Sequence, residues 1–190
     1  MINYRFPDAS VHGRFQPLHN EHMEYILKAK EHCDFLWVGI TMPETGIHSN
    51  PLGRERERPA SNPLTYFERA KIIRGALQDS GIPSKSFECV PFPIETPVIL
   101  PNFLPVTIPC LTTICEEWNR EKVEVLKNCG YPVHILFERT RKLITGVNIR
   151  QLILDNDTSW EQLVPAAALK ELKGLDIRTR LEGLKRRPIS

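Results

Sequence analysis

The sequence predicts an α/β fold built around a parallel sheet. Short apolar runs rich in β-branched and aromatic residues alternate with segments of helical periodicity, which is the pattern of βαβ units. The 190 residues are enough for one compact unit with a substantial core. A composition of 41% hydrophobic and 25% charged residues is typical of globular proteins and excludes a disordered or fibrous chain.

The N-terminal part of the chain predicts two strands separated by a helix. The first strand lies near residues 9–14 and leads through a turn containing glycine and proline to a helix from about Asn20. Residues 35–41 form a second, buried strand. Residues 42–63 are rich in proline, glycine, serine and asparagine and lack apolar periodicity, so they predict a long loop of the kind that often forms a lid or binding loop.

A second helix and a third strand follow this loop. The helix begins at Thr65, because Thr65 and Glu68 match a capping box and apolar residues then recur on one face. Gly81 ends the helix, and residues 86–92 form the third strand. The proline-rich stretch at 91–109 fits neither a helix nor a strand.

The C-terminal part predicts one more strand and several helices. A helix over about 116–128 stops near Gly130 and leads to a strand at 132–137. Three helical patterns then close the chain; they lie around Ile149–Ile153, Trp160–Leu172 and Ile177–Leu184.

Composition and charge narrow the function. A net charge of +2 argues against bulk nucleic-acid binding, so no nucleic-acid partner is predicted. No segment approaches the roughly 18 apolar residues that span a bilayer, so no membrane partner is predicted and a cytoplasmic location is expected. The five cysteines show no paired CxxC spacing, which predicts reduced thiols rather than a zinc site or a disulfide framework.

The segment from Gly13 to His22, with the sequence GRFQPLHNEH, carries the clearest chemical signal. It joins a predicted strand to the start of a helix, where backbone N–H groups and the helix dipole favour an anion. His19 and His22 lie three residues apart and therefore share one face of the first helical turn. Arg14 adds a guanidinium that can grip phosphate oxygens. The segment predicts a triphosphate site.

The predicted site residues His19, His22 and Arg14 are cations and hydrogen-bond donors, and such groups suit the transfer of a nucleotidyl group. When an ionised acceptor oxygen attacks the α-phosphorus of a triphosphate, the protein needs only to position the reactants and stabilise the growing charge. A second anion pocket is expected where Thr145 and Gly146 precede an apolar helical run, with Arg150 on the same helix.

GRFQPLHNEH resembles the GRFQPxHxGH signature of the nucleotidyltransferase superfamily, in particular of the archaeal-type nicotinamide mononucleotide adenylyltransferases. Three further stretches share this resemblance, which covers most of the chain and is weak from Pro91 to Asn128. Residues 62–65 with Glu68 and Arg69 are similar to NPFTxxER. Residues 145–150 are similar to an SxTxxR-like motif, with Arg141 as an upstream arginine. Residues 160–165 are similar to a W-x-x-L-[VL]-P stretch.

The resemblance implies a Rossmann-like three-layer α/β/α fold as one domain over 1–190, with a core at about 9–155 and C-terminal helices at about 156–190. It implies ATP or CTP as donor, Mg²⁺ bound with the triphosphate and release of pyrophosphate, and it leaves a homo-oligomer open. The magnesium ligands are not identified. The expected catalytic residues are His19, His22 and Arg14, and the expected nucleotide-binding residues are Gly13, Phe15, Gln16, Glu21, Arg141, Thr145, Gly146 and Arg150.

Several positions depart from the family pattern. Glu21 replaces a glycine that lets the nucleotide approach the helix, so its carboxylate must point elsewhere, bind a ribose hydroxyl or change which base fits. Val147 replaces a threonine and removes a hydroxyl donor. Where the family has a Gly-Ser-Ala-Gln-like end of the second strand, residues 39–43 read Gly-Ile-Thr-Met-Pro. The tryptophan and the Ser-Gly-Asn run that the family uses to bind nicotinamide mononucleotide have no clear counterpart between Glu95 and Trp118.

Three hypotheses about the function follow, and the first two differ in the acceptor substrate. The acceptor is a phosphate-bearing molecule such as nicotinamide mononucleotide, or a small phosphonate activated with CTP, as in a looser relative from phosphonate natural-product pathways. The third hypothesis is a catalytically silent nucleotide-binding module. For a small charged acceptor, the expected binding residues are Arg54, Arg56, Arg58 and Thr41.

Overall fold

The core of the protein is a sheet of five parallel strands. The computed structural model describes residues 5–44, 58–115, 117–139 and 143–186. Along the chain the strands are β1 (Phe6–Gly13), β2 (Cys33–Ile40), β3 (Phe87–Pro91), β4 (Cys110–Ile114) and β5 (Val133–Glu138). Their order in the sheet is β3-β2-β1-β4-β5. Because the order reverses between β1 and β4, a crevice is expected there at the carboxyl ends of the strands.

Helices connect and cover these strands. They are α1 (Asn20–Lys30), α2 (Tyr66–Asp79), α3 (Glu117–Asn128), α4 (Gly146–Leu154), α5 (Ala166–Gly174) and α6 (Ile177–Lys185). Short 3-10 turns lie at Pro59–Ser61, Ser84–Ser86, Pro97–Asn102 and Thr158–Leu163. Within the described ranges, no helix is long and apolar enough to cross a membrane.

The sheet separates two apolar cores, one on each face. Ala9 and Val11 belong to the larger core, which includes side chains from α1, α2, α4, α5 and α6. Phe92, Cys110 and Leu126 belong to a smaller core on the opposite face, beneath α3 and the 92–108 segment. The alternation follows from the two-residue period of a strand. The predicted three-layer α/β/α fold with a parallel sheet and C-terminal helices is confirmed.

The sequence prediction missed the strand β4. Cys110–Ile114 forms a five-residue strand that pairs with both β1 and β5. This run directly follows the proline-rich segment and contains two threonines, so it has neither the length nor the alternation that marks a strand. Its pairing depends on neighbours that are distant along the chain, which local patterns do not reveal.

The helix predicted around 160–172 is two separate elements. The 3-10 turn Thr158–Leu163 ends before Pro165, which is the N-cap of α5. Proline has no backbone N–H to donate to the preceding turn. It is therefore tolerated at the start of a helix and interrupts a helix elsewhere. Trp160 and Leu172 nevertheless both join the larger core, as their apolar character indicates.

The capping box of α2 is present and ties this helix to α6. The Thr65 hydroxyl accepts the Glu68 backbone N–H at 3.2 Å, and the Glu68 carboxylate accepts the Thr65 backbone N–H at 2.8 Å. The Arg180 guanidinium donates to both carboxylate oxygens of Glu68, each at 2.8 Å. These contacts hold down the pKa of Glu68 against the opposing effect of its partial burial.

Thr65→Ala is expected to lower the free energy of unfolding by about 1 kcal/mol, because the first turn of α2 loses its side-chain acceptor. Urea denaturation measures this change, with Thr107→Ala as control because Thr107 is exposed in a loop. Equal stability of the two variants would contradict the role of the cap.

Candidate active site

A cavity of about 480 Å³ lies at the carboxyl ends of β1, β4 and β5. This volume suits a small-molecule ligand, and the position is the predicted switch-point crevice. The first turns of α1 and α4 both contribute to its wall. Many of the predicted residues line it; they are Gly13, Arg14, Phe15, Gln16, His19, Glu21, His22, Thr145 and Gly146.

The loop between β1 and α1 has a tightly packed geometry. Phe15 adopts a φ of 53°, a left-handed conformation that is unusual for a non-glycine residue, and its ring is fully buried. A Cβ on Gly13 would lie 2.9 Å from that ring, so glycine is required there. The Gln16 amide donates to the Leu64 carbonyl at 2.7 Å and accepts the Leu64 N–H at 3.0 Å. The Gln16 side chain therefore braces the loop, and its nucleotide contact stays a prediction.

The two histidines of the motif stack against each other. His19 is the N-cap of α1, and its ring centroid lies 3.6 Å from that of His22 with an angle of 21° between the planes. The edge of Phe15 supports His22 from the side, with centroids 5.1 Å apart. The predicted sharing of one helix face is confirmed. Two imidazoles are thus placed where the backbone N–H groups of the first turn of α1 have no helical acceptor.

The N-terminus of α4 lies against the β1–α1 loop. The Thr145 hydroxyl caps α4 by accepting the Asn148 backbone N–H. A Cβ on Gly146 would lie 2.5 Å from the Gln16 carbonyl oxygen, so only glycine permits this close approach. Arg150 donates to the same carbonyl at 2.5 Å. Burial lowers the pKa of Arg150 to about 10, so it stays charged at neutral pH. Two helix N-termini therefore meet at one crevice, which favours a polyanion.

Arg69 fixes the same loop from behind. Its side chain is 1% exposed and donates to the carbonyls of Arg14 at 3.0 Å, Thr41 at 2.7 Å and Met42 at 2.7 Å. It also donates to the Thr65 carbonyl at 3.3 Å. Burial lowers the pKa of Arg69 to about 10, so this guanidinium remains protonated at neutral pH. One side chain thereby joins the ends of β1 and β2 to the start of α2.

Glu21 turns toward the segment that precedes α4. Its carboxylate accepts the Leu143 backbone N–H at 2.9 Å and lies 3.7 Å from an Arg139 nitrogen. Arg139 also pairs with Glu24, and its guanidinium lies 4.9 Å from the centroid of the Phe137 ring. The Glu24 carboxylate raises the pKa of Arg139. Glu21 therefore lines the cavity and also ties α1 to the entrance of α4.

The β4–α3 side of the cavity contains a buried histidine. The His12 ring stacks on the Phe92 ring, with centroids 4.6 Å apart and planes 8° from parallel. The Tyr25 hydroxyl accepts the His12 backbone N–H at 3.3 Å and donates to the Leu111 carbonyl at 2.6 Å, so it bridges β1 and β4. Burial, and to a lesser extent the Lys122 ammonium, hold the pKa of His12 well below its usual range.

Two of the predicted acceptor-binding residues, Thr41 and Arg58, lie outside the cavity wall formed by the described residues. Among the described residues Thr41 sits outside the cavity wall, since its backbone pairs with Gly13 and Arg69 at the end of β2. Arg58 is exposed and precedes the 3-10 turn Pro59–Ser61, also away from that wall. Arg54, Arg56 and Arg141 lie outside the described residues. Thr41 and Arg58 are therefore not part of the described cavity wall, and the roles of Arg54, Arg56 and Arg141 stay predictions.

Three residues that line the cavity were not predicted from the sequence, namely His12, Asn119 and Lys122, and Arg69 was recognised only as part of the NPFTxxER-like stretch. His12 directly precedes Gly13 and lies on the face of β1 opposite Val11, so its proximity to the motif was a signal. Asn119 and Lys122 approach the cavity through the β4–α3 connection, which depends on the unrecognised strand β4.

Similarity to known proteins agrees with this geometry. Residues 11–152 match a family model described as cytidylyltransferase-like. The chain belongs to the cytidylyltransferase-like family. It is 36% identical over 176 residues to a phosphonoformate cytidylyltransferase of Streptomyces viridochromogenes, covering 90% of this chain and 94% of that protein. A nicotinamide-nucleotide adenylyltransferase of Saccharolobus solfataricus is 29% identical, covering 85% and 89%.

A solved structure of a bifunctional NMN adenylyltransferase/ADP ribose pyrophosphatase from Francisella tularensis has the same fold, with a TM-score of 0.69 at 14% identity. The match covers 94% of this chain and 52% of that one, so this chain spans about half the length of the bifunctional protein. As a member of the cytidylyltransferase-like family whose relatives are nucleotidyltransferases, the protein is a nucleotidyltransferase.

Proposed function

We propose that the protein transfers a cytidylyl group from CTP to a small phosphonate and releases pyrophosphate. The observation that carries this proposal is the polar, cationic β4–α3 end of the cavity, formed by Thr113, Asn119 and Lys122 with His12 beside them. That chemistry suits a small anion. The 36% identity with a protein named phosphonoformate cytidylyltransferase supports the same acceptor class.

The triphosphate would lie between the N-termini of α1 and α4. There the His19 and His22 imidazoles, Arg14 and the free backbone N–H groups can stabilise charge on the α-phosphoryl oxygens and on departing pyrophosphate. An ionised phosphonate oxygen needs no general base to attack the α-phosphorus. The transfer therefore needs no covalent intermediate on a side chain such as Cys115 or Thr113 of the cavity wall.

Mg²⁺ would enter as a complex with the triphosphate. Within the described residues, no group of three or more His, Cys, Asp or Glu side chains is arranged to hold a metal ion. Mg²⁺ commonly keeps several waters and is bound through substrate phosphates plus one or two carboxylates, so a dedicated protein cage is not needed. The bound ion would neutralise charge on the leaving pyrophosphate.

A nicotinamide nucleotide acceptor is the second candidate, because a relative at 29% identity carries that name. A flat nicotinamide ring calls for an apolar or aromatic surface, whereas Asn119 and Lys122 line the β4–α3 end. Asn119 and Lys122 therefore favour the small phosphonate at this end, while Phe137 and Val147 give another part of the cavity an apolar surface. The homo-oligomer and the cytoplasmic location stay predictions.

A pyrophosphate-release screen tests this proposal. ATP, CTP, GTP and UTP with Mg²⁺ are each combined with phosphonoformate, phosphonoacetate, nicotinamide mononucleotide and nicotinate mononucleotide. We expect turnover with CTP and a phosphonate. Turnover with ATP and nicotinamide mononucleotide would instead support the second candidate. Triphosphate binding without release for every pair would support the silent module.

Glu21→Gly is expected to change the relative rates with the four triphosphates, because it removes a carboxylate from the cavity wall and its tie to the Leu143 N–H. The ratio of kcat/KM for CTP to that for ATP measures the change. Glu31→Gln is the control, since Glu31 pairs with Lys28 at the far end of α1. Unchanged ratios in Glu21→Gly would contradict a role in base selection.

A further inference from the structure

His12 is a buried polar side chain with unused hydrogen-bonding capacity. It is 3% exposed, and neither ring nitrogen has a hydrogen-bond partner within the described residues. Most buried side-chain polar atoms in proteins do have partners, because an unpaired buried donor or acceptor destabilises the fold. His12 also forms part of the cavity wall. A ligand in the cavity is therefore the natural source of the missing partner.

The plane of the His12 ring is held in place. Phe92 covers one face of the imidazole in a near-parallel stack. Phe92 is itself fixed, because its N–H donates to the Ile40 carbonyl at 2.9 Å and its ring packs on Gly39, where a Cβ would lie 2.7 Å away. The stack thus extends from β2 to β1. A fixed imidazole plane gives directional hydrogen bonding to whatever occupies the cavity.

The neighbours of His12 favour an anion. Lys122 lines the same end of the cavity, and its positive charge acts on His12. Because the pKa of His12 is well below its usual range, the ring is neutral at neutral pH and offers one N–H donor. A neutral donor beside an ammonium can hold an anionic oxygen without a second full charge.

We propose that His12 and Lys122 bind the non-reacting anionic group of the acceptor, and that this pair selects small phosphonates carrying a second anion, such as a carboxylate. The proposal rests on the proposed function, since it deepens the assignment of the same cavity. The motif histidines, His19 and His22, lie on α1, while His12 and Lys122 lie toward α3. The cavity thereby has one end for the triphosphate and one end for the acceptor.

The transfer step is balanced without a proton on His12. An ionised phosphonate oxygen forms a bond to the α-phosphorus, while the bond between the α-phosphorus and the oxygen bridging to the β-phosphorus breaks. The electron pair of that bond leaves with pyrophosphate. His12 gains and loses no proton; it donates a hydrogen bond to the acceptor's other anionic group and so orients the attacking oxygen.

Substitution of His12 separates this role from a purely structural one. His12→Leu is expected to raise the KM for phosphonoformate about 10- to 100-fold, because a hydrogen bond to a charged group is lost, with the KM for CTP changed less than about twofold. The ligand-free variant is expected to melt at the same or a higher temperature, because an apolar side chain replaces an unpaired buried imidazole. A structural histidine would give the opposite sign for the melting temperature.

Three further variants sharpen the test. His12→Gln keeps an N–H donor and is expected to retain part of the phosphonoformate affinity. Lys122→Met is expected to raise the same KM without changing the KM for CTP. His134→Leu is the control. His134 lies on β5, packs near Phe6 of β1 and is outside the cavity wall formed by the described residues. Its kinetic constants are expected to match those of the wild type.

Direct titration of phosphonoformate into wild type and His12→Leu, with and without the α,β-methylene analogue of CTP, distinguishes two kinds of failure. If no phosphonate is turned over with CTP but phosphonoformate binding still depends on His12, the proposed function fails while the anion-binding role of His12 stands. If the wild type turns over phosphonoformate and His12→Leu has the same KM for it, the inference fails and the proposed function stands. Lack of phosphonoformate binding to the wild type also overturns the inference.

Discussion

His22→Ala is expected to lower kcat about 100- to 1,000-fold while the dissociation constant of the triphosphate changes less than about threefold. His22 stacks on His19 at the start of α1 and is held at its edge by Phe15. In the proposed reaction its imidazole would stabilise the charge that grows on the α-phosphoryl oxygens. The loss should therefore appear in the transition state rather than in ground-state binding.

Steady-state pyrophosphate release and calorimetric titration of CTP measure the two quantities. His32→Ala is a suitable control because His32 follows the opposite end of the same helix. An equal loss of kcat and of triphosphate affinity in His22→Ala would contradict the catalytic role and leave His22 as a binding residue only.

Arg69→Met is expected to lower the free energy of unfolding by about 3 to 5 kcal/mol. The guanidinium satisfies the carbonyls of Arg14, Thr41 and Met42, and methionine leaves the buried acceptors of Thr41 and Met42 and the partly buried one of Arg14 without their donor. The β1–α1 loop should also lose its fixed position, so activity is expected to fall in parallel with stability.

Urea denaturation compares Arg69→Met with Arg74→Met. Arg74 lies on the same helix as Arg69, and its substitution removes a solvent-exposed ion pair with Glu88 of β3. Exposed pairs contribute at most about 1 kcal/mol, so the control should remain near the wild type. Arg69→Lys keeps a charge but cannot reach three carbonyls, and it provides an intermediate variant if Arg69→Met does not fold. A loss equal to that of Arg74→Met would contradict the bracing role.

The sequence could predict the parts of the fold and site that depend on local patterns. The capping box at Thr65 and the three-residue spacing of His19 and His22 are properties of single helical turns, and both predictions are confirmed. The resemblance to a known family supplied the three-layer arrangement. Nucleotidyl transfer then followed from chemistry that needs only positioned cations and donors.

The parts that were missed depend on contacts between distant segments. Strand β4 forms because β1 and β5 flank it, so its own five residues carry little signal. The pairing of Glu21 with the Leu143 N–H joins residues 122 positions apart. His12 belongs to a strand whose alternation predicts only which face it occupies, whereas its stacking on Phe92 depends on the residue that follows β3, two strands away in the sheet.

The charge run at 54–58 illustrates a different limit. Its arginines suggested an acceptor-binding loop, but a positive sequence motif does not reveal which surface it faces. The described cavity wall includes Lys122 of α3 and His12 of β1, which we propose as acceptor ligands, while the role of Arg54 and Arg56 stays a prediction.

Product identification by phosphorus NMR tests the central claim most directly. The protein is incubated with CTP, Mg²⁺ and phosphonoformate, and the signals of the new phosphorus–oxygen–phosphorus linkage and of pyrophosphate are integrated. The account predicts a cytidylyl phosphonate and pyrophosphate in equal amounts. Efficient adenylylation of nicotinamide mononucleotide, with no cytidylyl phosphonate formed at any phosphonoformate concentration, would contradict it.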